Sequence, residues 1–322
     1  MRRVRYHSYG GPEVLRIEDA EQPEPGPGQV RLRTEVIGTN FIDSKLRQGW
    51  GERYGRPMPA TLTGDVVGTV EAVGPDGDPA LIGRRFAALS EDAYADQVVA
   101  DTRWLTPVPD GLDDGSATML SMIAPIALGT LRFGRIAPGE TVLVQAAAGA
   151  IGHLTVQLAK ILGAGRVIGT AGSPSKLDFV RARGADVAID YTDDAWPEQV
   201  RAAAPEGVDL VLDGVGGEGT ARGLDLLAPG GRMVTYGFAA GEPEAIPVRT
   251  LYSLRSVIGF SLLAWRTARP DEVTKTVAEV TDHFLAGRLR GTVHTRLPLT
   301  EAVKAHQILD DRAQLGRVLL VP

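Results

Sequence analysis

The segment Val142-Leu-Val-Gln-Ala-Ala-Ala-Gly-Ala-Ile-Gly152 constrains the chain more than any other. An apolar strand runs into a turn of small side chains and then into a helix over 153–162, whose apolar positions recur at helical spacing. Small residues there let backbone N–H groups close on a pyrophosphate, whose charge the helix N-terminus favours. The spacing is Ala146-x-x-Gly149-x-x-Gly152, not the three-glycine fingerprint, and alone it would also serve tight strand–helix packing. The residues that follow weigh for the nucleotide. Strand-like runs at 166–170, 187–190, 210–213 and 232–236 alternate with helical stretches at 174–183, 196–204 and 220–227. Repeated βα units with right-handed crossovers give a doubly wound parallel sheet.

Residues 1–109 have a different texture. Short β-like runs at 29–37, 64–73, 83–88 and 94–100 are broken by Gly- and Pro-rich stretches at 22–28 and 74–79. That pattern predicts a compact, barrel-like β unit. Beyond a long helix at 271–286, a helix at 301–309 and an apolar strand at 317–321 are expected to return to this first domain. A length of 322 residues fits two domains, and 43% hydrophobic with 23% charged residues argues against long disorder.

A ribose-binding acid should follow the phosphate loop by about 20 residues. The second strand instead ends Ile168-Gly-Thr-Ala-Gly-Ser-Pro-Ser-Lys176. A carboxylate there would accept from a ribose 2′-OH and repel a 2′-phosphate. Its absence, with Ser173 and Lys176 in the turn, favours NADPH over NADH.

Other function classes fall away. A net charge of −6 gives no reason to expect nucleic acid or an anionic membrane as partner. No run approaches the ~18 apolar residues of a spanning helix. Met1 to Tyr9 is polar, unlike a signal peptide, so the chain reads as cytoplasmic. Cysteine is absent, which removes disulfides, thiolate nucleophiles and Cys-based zinc sites, and five scattered histidines make no metal cluster.

Seven elements in the right order carry a resemblance. Tyr9-Gly-Gly-Pro-Glu-Val-Leu15 opens it, with Glu24-Pro-Gly-Pro-Gly-Gln-Val30 and Gly38-Thr-Asn-Phe-Ile-Asp43 behind. Pro138-Gly-Glu-Thr-Val-Leu-Val144 leads into the small-residue loop. Leu210-Val-Leu-Asp-Gly-Val-Gly216 and Gly230-Gly-Arg-Met-Val-Thr-Tyr-Gly237 follow, and residues 302–306 with Gly316-Arg-Val-Leu-Leu320 close the series. The chain resembles, nearly end to end, the zinc-independent quinone oxidoreductases of the medium-chain dehydrogenase/reductase superfamily, which include zeta-crystallin.

The resemblance implies an α/β chain: a GroES-like catalytic domain over 1–122, a Rossmann NADPH-binding domain over 123–264, and a return to the catalytic domain over 265–322. It implies cofactor and substrate in a cleft between the domains. Tyr191 would join Ser173 and Lys176 around the 2′-phosphate. Further cofactor contacts would come from Asn40, Ala148, Gly149, Ala150, Ile151, Gly152, Thr170, Val215, Gly237, Phe238, Phe260 and Leu262, with Arg317 from the last strand. Zinc alcohol dehydrogenases place a Cys at Asn40 and a Gly-His-Glu at Thr63-Gly64-Asp65, so a zinc-bound alkoxide has no ligands here.

Without a metal, charge developing on the acceptor oxygen needs preorganised donors. Asn40 and Lys45 are the candidates, with Asp43 as a third polar residue that would react or position the Asn40 loop. Lys45 stands where several quinone reductases carry Tyr, and equally fits a helix-surface charge paired with Asp43. Trp50 and Tyr54 are candidates for an aromatic acceptor pocket. Ile126-Ala-Leu128 replaces the family's frequent Thr-Ala-Tyr and makes the pocket around Ile126 more apolar. The substrate expected is a quinone or enone. Enoyl or 2-alkenal reduction is the alternative, and a noncatalytic NADPH-binding protein is the alternative of another class. The family's homodimers join Rossmann edge strands, and the apolar run 256–263 suits that edge.

Overall fold

The structure is a computed structural model that describes residues 1–241 and 245–322. The chain divides into two compact units, Met1–Met122 with Gly291–Pro322, and Ile123–Arg290.

In the second unit, six parallel strands lie in the order Val187–Asp190, Arg166–Ala171, Thr141–Val144, Val208–Asp213, Leu227–Thr235, Ser256–Gly259. Numbered along the chain this is 3-2-1-4-5-6, the doubly wound dinucleotide-binding order. Strands covered on both faces must be apolar throughout. Val142, Leu143, Val144, Leu210, Val211 and Leu212 are accordingly all fully buried. The order reverses between Thr141–Val144 and Val208–Asp213, so the loops leaving these two strands face each other across the switch point.

Helices Gly152–Ile161, Leu177–Ala182, Trp196–Ala203 and Glu218–Asp225 form the connections. The second of these, Leu177–Ala182, is shorter than the expected 174–183. Pro174 starts a 3-10 turn over Pro174–Lys176, and Gly184 at φ 104° lies just beyond the helix end. The last strand stops at Gly259, short of the apolar run to 263. Ser261 caps the next helix, Leu262–Ala268, its Oγ accepting from Ala264 N at 3.4 Å.

The domain division also differs from the expected one. Helix Pro270–Leu285 turns Val273, Thr276, Val280 and Phe284 inward. It packs on helix Ile123–Phe133, where Arg132 donates to Thr276 Oγ1 at 2.9 Å and pairs with Glu279. Residues 265–290 therefore belong to the second unit, and the return to the first begins at Gly291, not residue 265.

The first unit is a seven-stranded sheet with a separate hairpin, Arg2–Tyr6 with Leu15–Asp19. Gln29–Gly38 is its hub, paired antiparallel with Gly64–Val73, Gln97–Asp101 and the final strand Arg317–Val321. Leu297, Leu299, Ala302, Ala305, Val318 and Leu320 enter the same core as Val30, Leu32 and Val66. The tail is thus part of this unit's hydrophobic interior. That join places Arg317 beside Gly38, some 280 residues away in sequence.

Candidate active site

The phosphate loop lies at the switch point of the second unit. Gln145 N donates to Leu212 O at 3.1 Å, and Ala147 N donates to Thr170 O at 2.7 Å, so the two neighbouring strands hold the turn. Ala146 sits at φ 50°, an uncommon conformation for a residue with a side chain. Gly152 is obligatory: a Cβ there would lie 2.3 Å from the Ala146 carbonyl oxygen. No side chain caps the N-terminus of helix Gly152–Ile161. Its positive dipole end suits an anion. Ala148 and Gly152 are buried, whereas Gly149, Ala150 and Ile151 are half-buried along the turn. Thr170 is buried in its strand and serves the loop through its carbonyl oxygen.

The residues expected at the 2′-phosphate come together from two separate stretches of chain. Tyr191 N donates to Ala171 O at 2.9 Å, and the Tyr191 hydroxyl lies where a Cβ on Gly172 would meet it at 2.5 Å. Gly172 thus admits Tyr191 against the turn that carries Ser173 and Lys176. The Ser173 and Ser175 hydroxyls are 2.9 Å apart. With no carboxylate in this turn and a lysine at its end, the residues present fit a 2′-phosphate.

The loop after Val208–Asp213 is held by a residue that sequence reasoning left unassigned. Asp213 is fully buried, and its Oδ1 accepts from Val215 N at 2.8 Å and Gly216 N at 2.9 Å. Its Oδ2 accepts from Thr220 Oγ1 at 2.5 Å. An acid ahead of Gly-Val-Gly with a Thr seven residues on is the local signal that marks it. Gly237 and Phe238 close on Gly214 and Gly216, so Val215, Gly237 and Phe238 are brought together. The Phe260 ring stacks edge-on against Phe133 and Trp265 at centroid separations of 5.2 and 5.5 Å, and Leu262 is buried beside it in sequence.

In the first unit, Asn40 lies two residues beyond the hub strand and immediately precedes helix Phe41–Lys45. Asp43 is 1% exposed, and its two oxygens accept from Thr63 N at 2.8 Å and Thr63 Oγ1 at 2.9 Å. Burial pushes its carboxyl up to about 7. Those bonds make it an anchor between the helix and residue 63, the positioning alternative of the two expected for it. It does not pair with Lys45. That side chain lies 5.6 Å from the Phe41 ring centroid, with the Arg312 guanidinium at 5.9 Å from the same ring. Burial and then Arg312 lower the Lys45 ammonium from its ordinary value. A lysine so placed gives up a proton more readily than a solvated one.

Leu46–Trp50 continues the helix through a wide turn broken at Gly49, φ 118°. Trp50 is half-buried, but Tyr54 is 60% exposed. Ile126 lies half-buried on helix Ile123–Phe133 of the second unit. This segment has a second anchor that the sequence did not disclose. Arg47 is fully buried, its Nε donating to His306 Nδ1 at 3.3 Å and its Nη2 to Asp310 at 2.5 Å. Tyr94 and His306 Nε2 are 3.2 Å apart. Burial and the Arg47 charge push His306 down to about 3, so its Nδ1 stays free to accept.

Arg317 departs most from expectation. Its side chain is fully buried, with Nη1 donating to Thr118 O at 2.8 Å and Nη2 to Asp65 and to Asn40 Oδ1. Asp65 accepts in addition from Ser121 Oγ at 2.5 Å. Both terminal nitrogens of the guanidinium are committed inside the first unit, to Thr118, Asn40 and Asp65, rather than to the expected cofactor contact. The same bonds engage both Asp65 oxygens, so the residue is not disposed as a metal ligand.

A doubly wound nucleotide unit joined to a GroES-like β unit defines a medium-chain dehydrogenase/reductase. Residues 26–110 match the alcohol dehydrogenase GroES-like domain, and residues 150–281 match the family described as zinc-binding dehydrogenase. A quinone oxidoreductase of Pseudomonas aeruginosa is 32% identical over 100% of this chain and 99% of its own. A 2-haloacrylate reductase of Burkholderia is also 32% identical, over 98% of this chain and 97% of its own. A mycobacterial protein solved with NADPH superposes at a TM-score of 0.93, with 34% identity and complete coverage of both chains. The chain belongs to the zinc-independent quinone oxidoreductase family. Its lack of cysteine separates it from the zinc-using members that the second family description evokes. Among the described residues, no helix is long and apolar enough to cross a membrane.

Proposed function

We propose that the protein is an NADPH-dependent reductase that transfers hydride to a quinone or another conjugated carbonyl. The observation that carries this reading is the turn after the second strand: Tyr191 packs on Gly172, and residues 172–176 hold Ser173 and Lys176 and no carboxylate. Bound NADPH would supply the hydride. The residues of the chain bind and orient: the 146–152 loop takes the pyrophosphate, and the Asp213-held loop takes the nicotinamide end. Asn40 and Lys45 provide N–H donors for an oxygen that gains charge.

A quinone needs hydride and a proton on oxygen, whereas an enone takes hydride at its β-carbon and a proton at the α-carbon. Lys45 with its lowered proton affinity favours a second reading, reduction of an activated alkene, the class of reaction named for the Burkholderia relative. We also place a homodimer in this proposal, through the outer edge of Ser256–Gly259, which ends the six-stranded sheet. Light scattering reads that directly: a mass of one chain at micromolar concentration removes it.

Fluorescence titration should give a lower Kd for NADPH than for NADH, and equal affinities defeat the 2′-phosphate argument. NADPH oxidation against a quinone panel and an enal, enone and haloacrylate panel then separates the two readings. Tight NADPH binding with no turnover of any acceptor would instead favour a noncatalytic binder.

A further inference from the structure

We infer that Arg317 is a positioning residue that fixes the Asn40 amide with its NH2 group open as the donor. The inference rests on the reductase reading only for the nature of the oxygen that this donor meets. The amide orientation itself belongs to the free protein.

An asparagine at the start of a helix ordinarily turns its side-chain oxygen onto the first-turn N–H groups. Asn40 occupies that position before Phe41–Lys45 and makes no such bond. Its Oδ1 accepts from Arg317 Nη2 at 3.1 Å. A guanidinium has donors and no acceptor, so the amide oxygen must face it and the NH2 must point away. Asn40 is 4% exposed, and its Nδ2 has no hydrogen-bond partner among the described residues. A buried donor left unmatched is costly to the free protein and is ready for an acceptor.

The guanidinium cannot swing aside to release that amide. Thr118 O holds Nη1 and Asp65 shares Nη2 with the amide, and Ser121 holds Asp65. It lies flat against Gly38, where a Cβ would fall 2.2 Å from Arg317 Nε. Gly38-Thr39-Asn40 thus reads as a spacing: an open position to admit the arginine, then the residue it orients. A fully buried ion pair is weak evidence for stability, since apolar replacement is often neutral. This one ends on an amide whose free face is a donor, which gives the pair a positional use. The acceptor is a carbonyl or hydroxyl oxygen, supplied either by the reducible substrate or by the nicotinamide riboside.

The test uses Arg317→Lys, which keeps a charge beside Asp65 but cannot bridge Asp65, Thr118 and Asn40 together. The double variant R317M/D65N removes both buried charges, so that folding does not hinge on a stranded carboxylate. Asn40→Ala assigns the side-chain amide signal of Asn40 in nitrogen-15 NMR spectra. That signal should shift in both Arg317 variants while the thermal melts stay cooperative. A substrate oxygen as acceptor predicts kcat lowered at least tenfold with NADPH Kd unchanged. A cofactor oxygen predicts NADPH Kd raised at least tenfold. In an N40A background, Arg317→Lys should change neither constant further. An unshifted amide signal overturns the inference, as do kinetic and binding constants within twofold of the parent in a folded variant. If the parent reduces no acceptor, the reductase reading fails alone, and the NMR signal with the NADPH Kd still decides the role of Arg317.

Discussion

Replacing Asp43 by Asn removes a buried carboxylate whose ionisation the fold resists. Burial raises its value from 3.8 to about 7, even though both Thr63 bonds pull the other way. Tyr6, Tyr94, Arg47, Arg56 and Glu91 also act on it or its neighbours, without a cation in direct contact. The folded state holds the proton more tightly than the unfolded chain. Its contribution to stability is therefore complete below about pH 3.8 and is lost as pH rises through 7. Roughly three units at about 1.4 kcal/mol each make the loss about 4 kcal/mol. His306 runs in the opposite sense: it is pushed from 6.5 down to about 3, so its contribution is present above 6.5 and lost as pH falls through 3. The two slopes oppose each other between about pH 4 and 6.5, and the parent's own curve conceals both. The informative quantity is the stability of D43N minus that of the parent, from urea unfolding followed by fluorescence and circular dichroism. It should rise by about 4 kcal/mol between pH 4 and 8, with the steep part below 7. A difference that is constant across this range would refute the reasoning, because Asp43 would then titrate alike in both states.

Gly152→Ala should raise the NADPH Kd at least tenfold, about 1.4 kcal/mol, because the added Cβ meets the Ala146 carbonyl oxygen at 2.3 Å. Fluorescence titration measures it, and a Kd within twofold of the parent means that the loop does not hold the cofactor. Lys45→Met should lower kcat/KM for carbonyl acceptors. It should also remove an alkaline limb that falls below the ordinary lysine value of 10.5 in the parent; a limb that persists in the variant belongs to another group. Arg47→Met strands Asp310 and opens the bond to His306, and should cost about 3–5 kcal/mol in urea unfolding. A loss under 1 kcal/mol would show that the pair with Asp310 is not what anchors residues 41–53.

Amino-acid order by itself determined much of the second unit. Its strands are continuous apolar runs and its loop uses small residues at fixed spacing, so periodicity and local chemistry carry the information. Lys176 and the missing acid could be read from one turn, since the cofactor preference rests on a short local contrast of charge. Contacts across long sequence separations were decided only in three dimensions. Asp43 and Lys45 lie two residues apart and read as an ion pair, yet packing turns the carboxylate onto Thr63 and leaves the ammonium beside Phe41. Arg317 read as a cofactor contact because a basic residue on a closing strand carries no mark of what it will face. Antiparallel pairing of that strand with Gln29–Gly38 brings its guanidinium onto Gly38, Asn40 and Asp65. Burial then decides its role: a charge shut away from water must be matched by the nearest fixed acceptors, and tertiary packing alone sets which ones those are.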